Sequence, residues 1–208
     1  MSDKTSPQNS PPLKRRGSRH ASPEVRKKQI LDAAIQCISN DGFHNVTTES
    51  IAKVSGLSKG SLYRFFKSKE ELLVAIMEDW EQTFYEKLKN RPSPQPLIQK
   101  LYDYCFLHLE IAAERPNLLP IWSEFLLHPM TKEGIKQAHL TSRKELASII
   151  REGIKSGEFN DVSPTAYADT IISLFEGIMV IATANSDVNF RKRADAMWLI
   201  IKSGLVKQ

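Results

Sequence analysis

Helix-start and helix-stop signals recur along the chain, and between them apolar residues follow the 3.6-residue spacing of an α-helix. Ser22-Pro23 and Ser163-Pro164 each combine an N-cap hydroxyl with a proline at the first helical position. Asn40-Asp41-Gly42 and Gly157 are typical of helix ends. No segment shows the strict alternation of a β-strand. The sequence therefore predicts an all-α fold.

The same signals predict where the helices lie. A first helix ends at Gly42, and two short helices follow, the second of them running from Ser58 to about Phe65. A fourth begins at the capping box of Ser68 and Glu71 and stops before Arg91. Beyond that linker, helices are predicted over 96–114, 117–128, 131–156, 164–184 and 189–205. The helices over 96–114 and 164–184 have apolar residues on opposing sides, which predicts central positions.

Charge is distributed unevenly along the chain. Residues 1–70 hold 13 Lys and Arg against 6 Asp and Glu, whereas residues 71–208 hold 16 against 18. A basic front third suggests an anionic partner for that part alone. The other interpretation is a solvated basic tail.

Residues 1–21 are rich in Ser, Pro, Lys and Arg and hold too few apolar residues to offset the cost of ordering, so this tail is predicted to be disordered. Its basic residues could follow phosphates or enter a minor groove, or make no specific contact, and we favour a modest nonspecific affinity. These residues are Lys14, Arg15, Arg16, Arg19 and His20.

Targeting signals and cysteines point to the cytoplasm. The first 20 residues have no apolar central region, so they are not a secretory signal, and no uninterrupted apolar run approaches the ~20 residues of a spanning helix. Cys37 and Cys105 lie far apart, each within an apolar helical pattern. We interpret both as buried thiols in a reducing compartment, with a redox role as the lesser alternative.

A helix-turn-helix is predicted around residues 48–65. Small Ala52 allows two short helices to approach, Gly56 permits a sharp turn, and Leu57 and Leu62 hold the second helix inward. This spacing alone is weak, because many unrelated helical hairpins share it.

The longer segment FHNVTTESIAKVSGLSKGSLYRFFKSKEELL, residues 43–73, is more specific. It closely resembles the DNA-binding signature of the TetR family of bacterial transcriptional regulators. The matching positions are Phe43, Val46, Thr47, Thr48, Ile51, Ala52, Gly56, Leu57, Ser58, Gly60, Leu62, Tyr63, Phe66, Lys69, Glu70 and Leu72. The signature covers about a sixth of the chain, and the remainder agrees in length and helical character only.

The resemblance implies a set of DNA contacts. Lys59 would read a base edge, and Gly60 would let the backbone approach the groove floor. Tyr63 and Arg64 would contact phosphates, as would Lys69 at the start of the fourth helix. The full set is Thr47, Thr48, Ser58, Lys59, Gly60, Ser61, Tyr63, Arg64 and Lys69.

Several of these residues have simpler interpretations. Thr48 and Ser58 could cap their helices, and this role can coexist with a phosphate contact. For Lys67 a solvated position is favoured. Phe65 and Phe66 are predicted to pack the recognition helix against the first and fourth helices.

The resemblance also implies three parts: a tail over 1–21, a DNA-binding domain over 22–70 and a ligand-sensing and dimerising domain over 71–208. The last two helices would form a symmetric four-helix dimer interface, with a monomeric core as the alternative. The candidate interface residues are Ile171, Leu174, Phe175, Ile178, Met197 and Ile201.

A ligand pocket is expected between the fourth, fifth, seventh and eighth helices. Each candidate could equally be plain core, and for His108 a hydrogen-bonded core position is favoured. The candidates are Trp80, Phe84, Tyr104, Cys105, His108, Trp122, Phe125 and Met179.

These observations predict a dimeric repressor that binds a palindromic operator and is released by a small, largely apolar effector. The same fold could instead serve as an activator or as a ligand-independent DNA binder. An enzyme is disfavoured, because the sequence has no Gly-rich phosphate loop, metal cluster or nucleophile elbow. No cofactor, metal or membrane partner is expected, and the protein is placed in the cytoplasm, associated with the nucleoid.

Overall fold

A computed structural model of the chain describes residues 21–185 and 187–207. This part of the chain is helical, with one isolated antiparallel bridge between Phe159 and Val206. Of the tail predicted over 1–21, only Ala21 is described. The basic residues of the tail lie outside the described residues. The α-helices are α1 (Pro23–Asp41), α2 (Thr48–Ser55), α3 (Lys59–Tyr63), α4 (Lys69–Lys89), α5 (Leu97–Glu114), α6 (Leu119–Leu127), α7 (Lys132–Ser156), α8 (Pro164–Ala184) and α9 (Phe190–Leu205). The all-α prediction is confirmed, and short 3-10 turns at Pro116–Leu118 and Pro129–Thr131 flank α6.

The caps around α2 set the helix-turn-helix. Thr47 and Ser50 form a capping box, in which each side chain accepts a hydrogen bond from the other residue's backbone N–H. Gly56 ends α2 in the left-handed conformation, with φ 69° and ψ 21°. A residue with a Cβ adopts that conformation only with strain, so the sharp turn into α3 depends on glycine.

The end of α3 and the start of α4 differ in detail from the prediction. Ser58 caps α3 as expected, but the helix ends at Tyr63 rather than near Phe65. Ser68 accepts from the backbone N–H of Glu71, which is half of the predicted capping box. The Glu71 carboxylate does not return to Ser68; it accepts from the N–H of Lys67 at 2.6 Å. The Glu71 side chain thereby satisfies the backbone N–H of Lys67, one residue before the N-cap Ser68, and fixes the loop before α4.

The helix-turn-helix packs on the rest of the molecule through its apolar side. Leu62 and Phe66 are buried, and Phe65 is half-buried against the same core, as predicted. Helix α1 contacts α2, α4 and α6. The buried residues form one continuous cluster that extends from α1 to α9. The DNA-binding segment and the C-terminal helices therefore share a core.

Helix α5 is central, as its two apolar faces predicted, and contacts α4, α7, α8 and α9. Helix α8 packs against α6, α7 and α9. By length and composition alone, α8 is apolar enough to cross a membrane, a test that core helices of soluble proteins also pass. Both cysteines are free and buried, in agreement with the prediction.

The predicted dimer residues on α8 and α9 lie mostly within the core of the chain. Five of the six are buried, and Leu174 packs partly against the same core. They therefore offer little free surface to a second copy, and their role in a dimer stays a prediction. The large apolar side chains exposed on these helices are Val180, Ile181, Leu199 and Ile200, with 47%, 47%, 69% and 63% of their surface exposed.

Candidate nucleic-acid interface and internal cavity

The outer surface of α3 is polar at its start. Ser58, Lys59 and Gly60 are exposed. The Ser58 hydroxyl accepts from the Ser61 backbone N–H at 3.1 Å and lies 2.9 Å from the Ser61 hydroxyl. Both serines are thus oriented by capping, while their hydroxyls remain at the surface.

Lys59 is paired in the DNA-free protein. Its ammonium donates a hydrogen bond to Glu49 on α2, and both side chains are 55% exposed. This hydrogen bond is the main reason that the pKa of Glu49 is lowered and the pKa of Lys59 is raised. The ammonium also lies 5.7 Å from the centre of the Tyr63 ring. A base edge or phosphate that engages Lys59 must compete with the Glu49 carboxylate.

Two hydroxyls meet where α2 and α3 face each other. Thr48 Oγ1 and Tyr63 Oη lie 3.0 Å apart, so the two predicted phosphate contacts are adjacent. The Arg64 side chain is exposed and has no hydrogen bond or ion pair within the described part of the chain. Lys67 donates to the Tyr63 carbonyl at 3.1 Å, so it is partly engaged rather than fully solvated.

Gly60 has no conformational or packing requirement of its own. A Cβ built at this position meets no heavy atom within 4 Å, and Gly60 is not among the glycines with positive φ. The absence of a side chain therefore serves no contact within the chain. It leaves the surface between Lys59 and Ser61 flat, as close approach of another molecule requires.

Lys69 does not project freely from the start of α4. Its ammonium donates to the carbonyls of Phe43 and His44 at 2.9 and 3.3 Å, approaches that of Val46 at 3.5 Å, and lies 4.6 Å from the centre of the Phe43 ring. In the DNA-free protein this side chain holds the α1–α2 loop against α4. The phosphate contact of this ammonium stays a prediction, and a phosphate would have to compete with these carbonyls.

Glu49 was missed by the sequence analysis. It lies ten residues before Lys59, on a different helix, so no helical spacing links the two. Only the turn at Gly56 brings α2 and α3 close enough for the contact. An acidic residue in the first turn of α2 also interacts favourably with the helix dipole. Its presence there therefore did not indicate a contact with α3.

A cavity of about 300 Å³ lies between α4, α5, α6, α7 and α8. Six of the eight predicted pocket residues line it: Trp80, Tyr104, Cys105, His108, Trp122 and Phe125. Phe84 and Met179 do not. Phe84 lies behind His108, stacked on its ring at 3.9 Å, and Met179 is fully buried in the core. Helix α6 also contributes to the wall, which the sequence analysis did not include in its set of helices.

His108 is both a core residue and part of the cavity wall. Its Nδ1 accepts a hydrogen bond from Trp80 Nε1 at 3.2 Å, which assigns the remaining proton to Nε2. Burial lowers the pKa of His108 to about 3. The imidazole is therefore neutral at physiological pH.

Two tyrosines near the cavity are paired with one carboxylate, whereas the indole N–H of Trp122 is unpaired. Tyr104 and Tyr85 both donate to Glu145 Oε2, at 2.7 and 3.0 Å. Burial and the neighbouring Glu145 carboxylate raise the pKa of Tyr85 to about 12. The indole N–H of Trp122 is buried and has no acceptor among the described residues. The wall thus contains one unused hydrogen-bond donor.

Two helices connect this cavity with the helix-turn-helix. Helix α4 lines the cavity with Met77 and Trp80 and begins at the Lys69 contacts to the α1–α2 loop. Helix α6 lines it with Phe125 and contacts α1. At the end of α6, His128 packs edge-on against Phe43 with ring centres 5.4 Å apart. Both helices therefore reach the same loop.

The described residues include no group of three His, Cys, Asp or Glu side chains that could hold a metal ion.

Comparison with known proteins identifies relatives for both parts of the chain. The family model of bacterial regulatory proteins, tetR family, matches residues 30–76, which span most of α1 and all of α2 and α3. The regulator RutR of Escherichia coli is 27% identical over 154 residues, which cover 73% of this chain and 73% of that protein.

Solved structures share the whole fold. A transcriptional regulator from Saccharomonospora viridis in complex with choline aligns with a TM-score of 0.74 at 22% identity, over 89% of this chain and 100% of that one. FadR from Bacillus subtilis in complex with stearoyl-CoA aligns with a TM-score of 0.73 at 23% identity, over 85% of this chain and 98% of that one. At these identities the likeness extends to the fold and not to the ligand.

Proposed function

The chain belongs to the TetR family of bacterial regulatory proteins, and from this premise we propose that it represses transcription as a ligand-responsive dimer. It is a DNA-binding regulator and not an enzyme. One observation carries the proposal: α3 presents exposed Lys59 and the side-chain-free surface of Gly60, and its Tyr63 hydroxyl adjoins the hydroxyl of Thr48 at the start of α2.

These residues fit the chemistry of a major groove. The Lys59 ammonium can donate to guanine O6 and N7, and Gly60 permits the approach. The Tyr63 and Thr48 hydroxyls and the Arg64 guanidinium suit phosphates, and phosphate contacts fix the register. Thr47, Ser58 and Ser61 supply further hydroxyls beside them. Lys69 acts indirectly, by holding the α1–α2 loop.

A dimer is required to read a palindromic operator. Two copies of α3 would enter successive major grooves about 34–36 Å apart. We propose that α8 and α9 of two chains pair through Val180, Ile181, Leu199 and Ile200, since these are exposed apolar side chains on adjacent helices. Gly177, one turn before Val180 and Ile181 on α8, is exposed and would let the paired helices approach closely.

An effector in the cavity would act through α4 and α6. Both helices line the cavity, and both reach the loop at Phe43. A ligand that fits the cavity only when these helices shift would move the α1–α2 loop and change the separation of the two α3 helices. The ligand then weakens operator binding by its preference for the shifted state.

The two structural relatives bind choline and stearoyl-CoA, ligands of opposite charge, so likeness alone gives no effector class. An activator, or a binder without a ligand, remains the second candidate function. The cavity favours the ligand-responsive form.

The protein is cytoplasmic, and we propose that DNA binding associates it with the nucleoid. We also propose the division into a tail over 1–21, a DNA-binding domain over 22–70 and a sensing and dimerising domain over 71–208. The shared core supports tight coupling between the last two.

The proposal is tested with DNA fragments selected by the protein from bacterial genomic DNA. Lys59→Ala should weaken binding to the selected fragment by about 5- to 150-fold, because a good base-edge contact contributes that much discrimination. Its affinity for random DNA should change little. Lys155→Ala, an exposed lysine on α7, is the matched control. Unchanged specific affinity in Lys59→Ala would refute the assignment of α3 to the groove.

A further inference from the structure

We propose that the cavity binds a hydrophobic organic cation, an amine or quaternary ammonium carrying an apolar group. The proposal deepens the ligand-responsive function and rests on it for its regulatory meaning. The first observation is the charge of the cavity wall. Its lining includes Glu78, Glu81 and Glu176, and among the described lining residues there is no Lys, Arg or Asp.

The three carboxyl groups differ in exposure: Glu78 and Glu81 are exposed to solvent, and Glu176 is half-buried. None forms a hydrogen bond or an ion pair within the described part of the chain. Glu176 on α8 is half-buried, and burial raises the pKa of its carboxyl group. A carboxylate that is partly removed from water without a counter-ion is unfavourable, and a cationic ligand would relieve this cost.

His139 of α7 lines the cavity, and both it and nearby Arg143 contact Asp169. His139 Nε2 lies 3.2 Å from Asp169 Oδ1, and Arg143 Nη1 lies 3.7 Å from Asp169 Oδ2. His139 faces Glu176 closely enough to oppose part of its pKa shift, yet its ring nitrogen is shared with Asp169. The field of Glu176 is therefore incompletely balanced by the protein.

Aromatic rings form the remaining walls. Trp80 and Trp122 lie with ring centres 5.6 Å apart, and Phe175 meets Trp122 edge-on at 5.7 Å. Tyr104 and Phe125 add two further rings. The negative faces of such rings attract organic cations, and tryptophan does so most strongly. Apolar groups on the same ligand would be buried among these rings.

Two of the uncharged polar groups of the wall, His108 and Trp122, do not oppose a cation. His108 is neutral, since burial lowers its pKa to about 3. The unpaired Trp122 N–H can donate to an ether or hydroxyl oxygen on the same ligand. The cavity of about 300 Å³ suits a ligand of modest size with one charged centre.

Three probes with the same ten-carbon chain separate charge from hydrophobicity: decyltrimethylammonium, decan-1-ol and decanoate. Binding to the full-length protein is measured by isothermal titration calorimetry below the micelle-forming concentrations. Decyltrimethylammonium should bind at least about tenfold more tightly than decanol, because the carboxylates and ring faces attract only the cationic probe. Decanoate should bind more weakly than decanol.

Glu176→Gln should remove most of the preference for the cation while leaving decanol binding unchanged. Glu152→Gln, which removes the same charge from an exposed position on α7 outside the cavity wall, is the control and should behave as the wild type. Equal or tighter binding of decanol or decanoate, or no binding of the cation, would overturn the proposal.

The same probes are then tested for release of the selected DNA fragment. Release by decanol or decanoate but not by the cation would refute the ligand class and leave the ligand-responsive regulator intact. Failure of the ligand-free protein to bind any DNA would instead contradict the proposed function itself.

Discussion

At the scale of single residues, the contact between Lys59 and Glu49 controls how the groove-facing surface is presented. The ammonium is held by a carboxylate in the DNA-free protein, so its engagement with DNA requires an exchange of partners. An acidic neighbour also repels phosphates, which disfavours binding to arbitrary sequences more than binding to a site that offers Lys59 a good acceptor. Glu49 thus favours specificity over affinity.

Glu49→Gln should therefore tighten binding to random DNA by about twofold to fivefold, the range of an exposed ion pair. The ratio of specific to nonspecific affinity should fall. Fluorescence anisotropy with a selected fragment and a scrambled one measures both constants. Glu24→Gln, which removes a carboxylate from the first turn of α1, controls for net charge. Equal affinity for random DNA in Glu49→Gln and wild type would show that the contact does not restrain Lys59.

His108 gives a residue-scale prediction on pH. Its pKa is about 3 when folded and about 6.5 when unfolded, so the unfolded state binds the additional proton between these values. Stability is full above about pH 6.5 and decreases as the pH falls towards 3. Well inside that window the contribution of one such group is about 1.4 kcal/mol per pH unit.

His108→Gln keeps an acceptor for Trp80 and removes the titration. Urea unfolding of both proteins between pH 7 and pH 4.5 should show a smaller loss of unfolding free energy in the variant. Parallel curves for the two proteins would mean that His108 is protonated in the folded state, contrary to its burial.

At the scale of elements, Lys69 joins α4 to the α1–α2 loop. Its ammonium donates to two carbonyls of that loop and lies against the Phe43 ring. Helix α6 reaches the same ring through His128. The loop is therefore held by α4 and α6, two of the helices that line the cavity. This shared contact is the physical basis proposed for coupling the cavity to the surface of α3.

Lys69→Met keeps the alkyl stem and removes the ammonium. We expect the free energy of unfolding to fall by about 1–2 kcal/mol, because hydrogen bonds to charged groups are lost. Lys67→Met, in the adjoining loop, removes a single bond to the Tyr63 carbonyl and should cost less. Chemical denaturation measures both. If Lys69→Met were as stable as the wild type, the loop contacts of Lys69 would not stabilise the fold. A phosphate contact would then be the simpler role for this lysine.

The elements themselves were largely predictable from the sequence. Caps such as Ser22, Ser163 and Gly157 act locally, so their hydrogen bonds follow from neighbouring residues alone. The partner of each helix face was not predictable in the same way. Helix α8 is apolar on both sides, and its periodicity could not tell that Ile171 faces its own core while Ile181 is exposed.

The sequence could predict candidate residues of the site but not the contacts between elements. The resemblance implied a role for Lys59, which stays a prediction, whereas the Glu49 partner and the loop contacts of Lys69 arise only after α2, α3 and α4 are packed. In the cavity, apolar spacing could not distinguish Phe84, which supports His108 from behind, from the rings that form the wall.

At the scale of the whole molecule, function requires two copies. Leu199→Glu places a charge in the proposed α8–α9 interface and should dissociate the dimer, since an unpaired charge is costly in an apolar contact. Sedimentation velocity measures the change. Leu127→Glu is the matched control. Leu127 is 84% exposed at the end of α6, which is not one of the two helices proposed to pair. A dimer that persists in Leu199→Glu would place the interface elsewhere.

The charge asymmetry of the chain belongs to this scale as well. The basic first third contains the proposed DNA-binding surface, and the near-neutral remainder contains the cavity and the proposed dimer face. The distribution predicts that DNA attraction is concentrated at one end of each protomer. Two protomers joined through α8 and α9 would present both ends to one duplex.

The most direct test of the account is the salt dependence of binding to the selected DNA fragment by the full-length dimer. The logarithm of the association constant should fall linearly with the logarithm of salt concentration, with a slope of about −0.9 for each phosphate contact. Arg64→Ala, which removes one proposed contact in each protomer, should make that slope shallower. A slope near zero for the wild type would contradict DNA binding as the function of this protein.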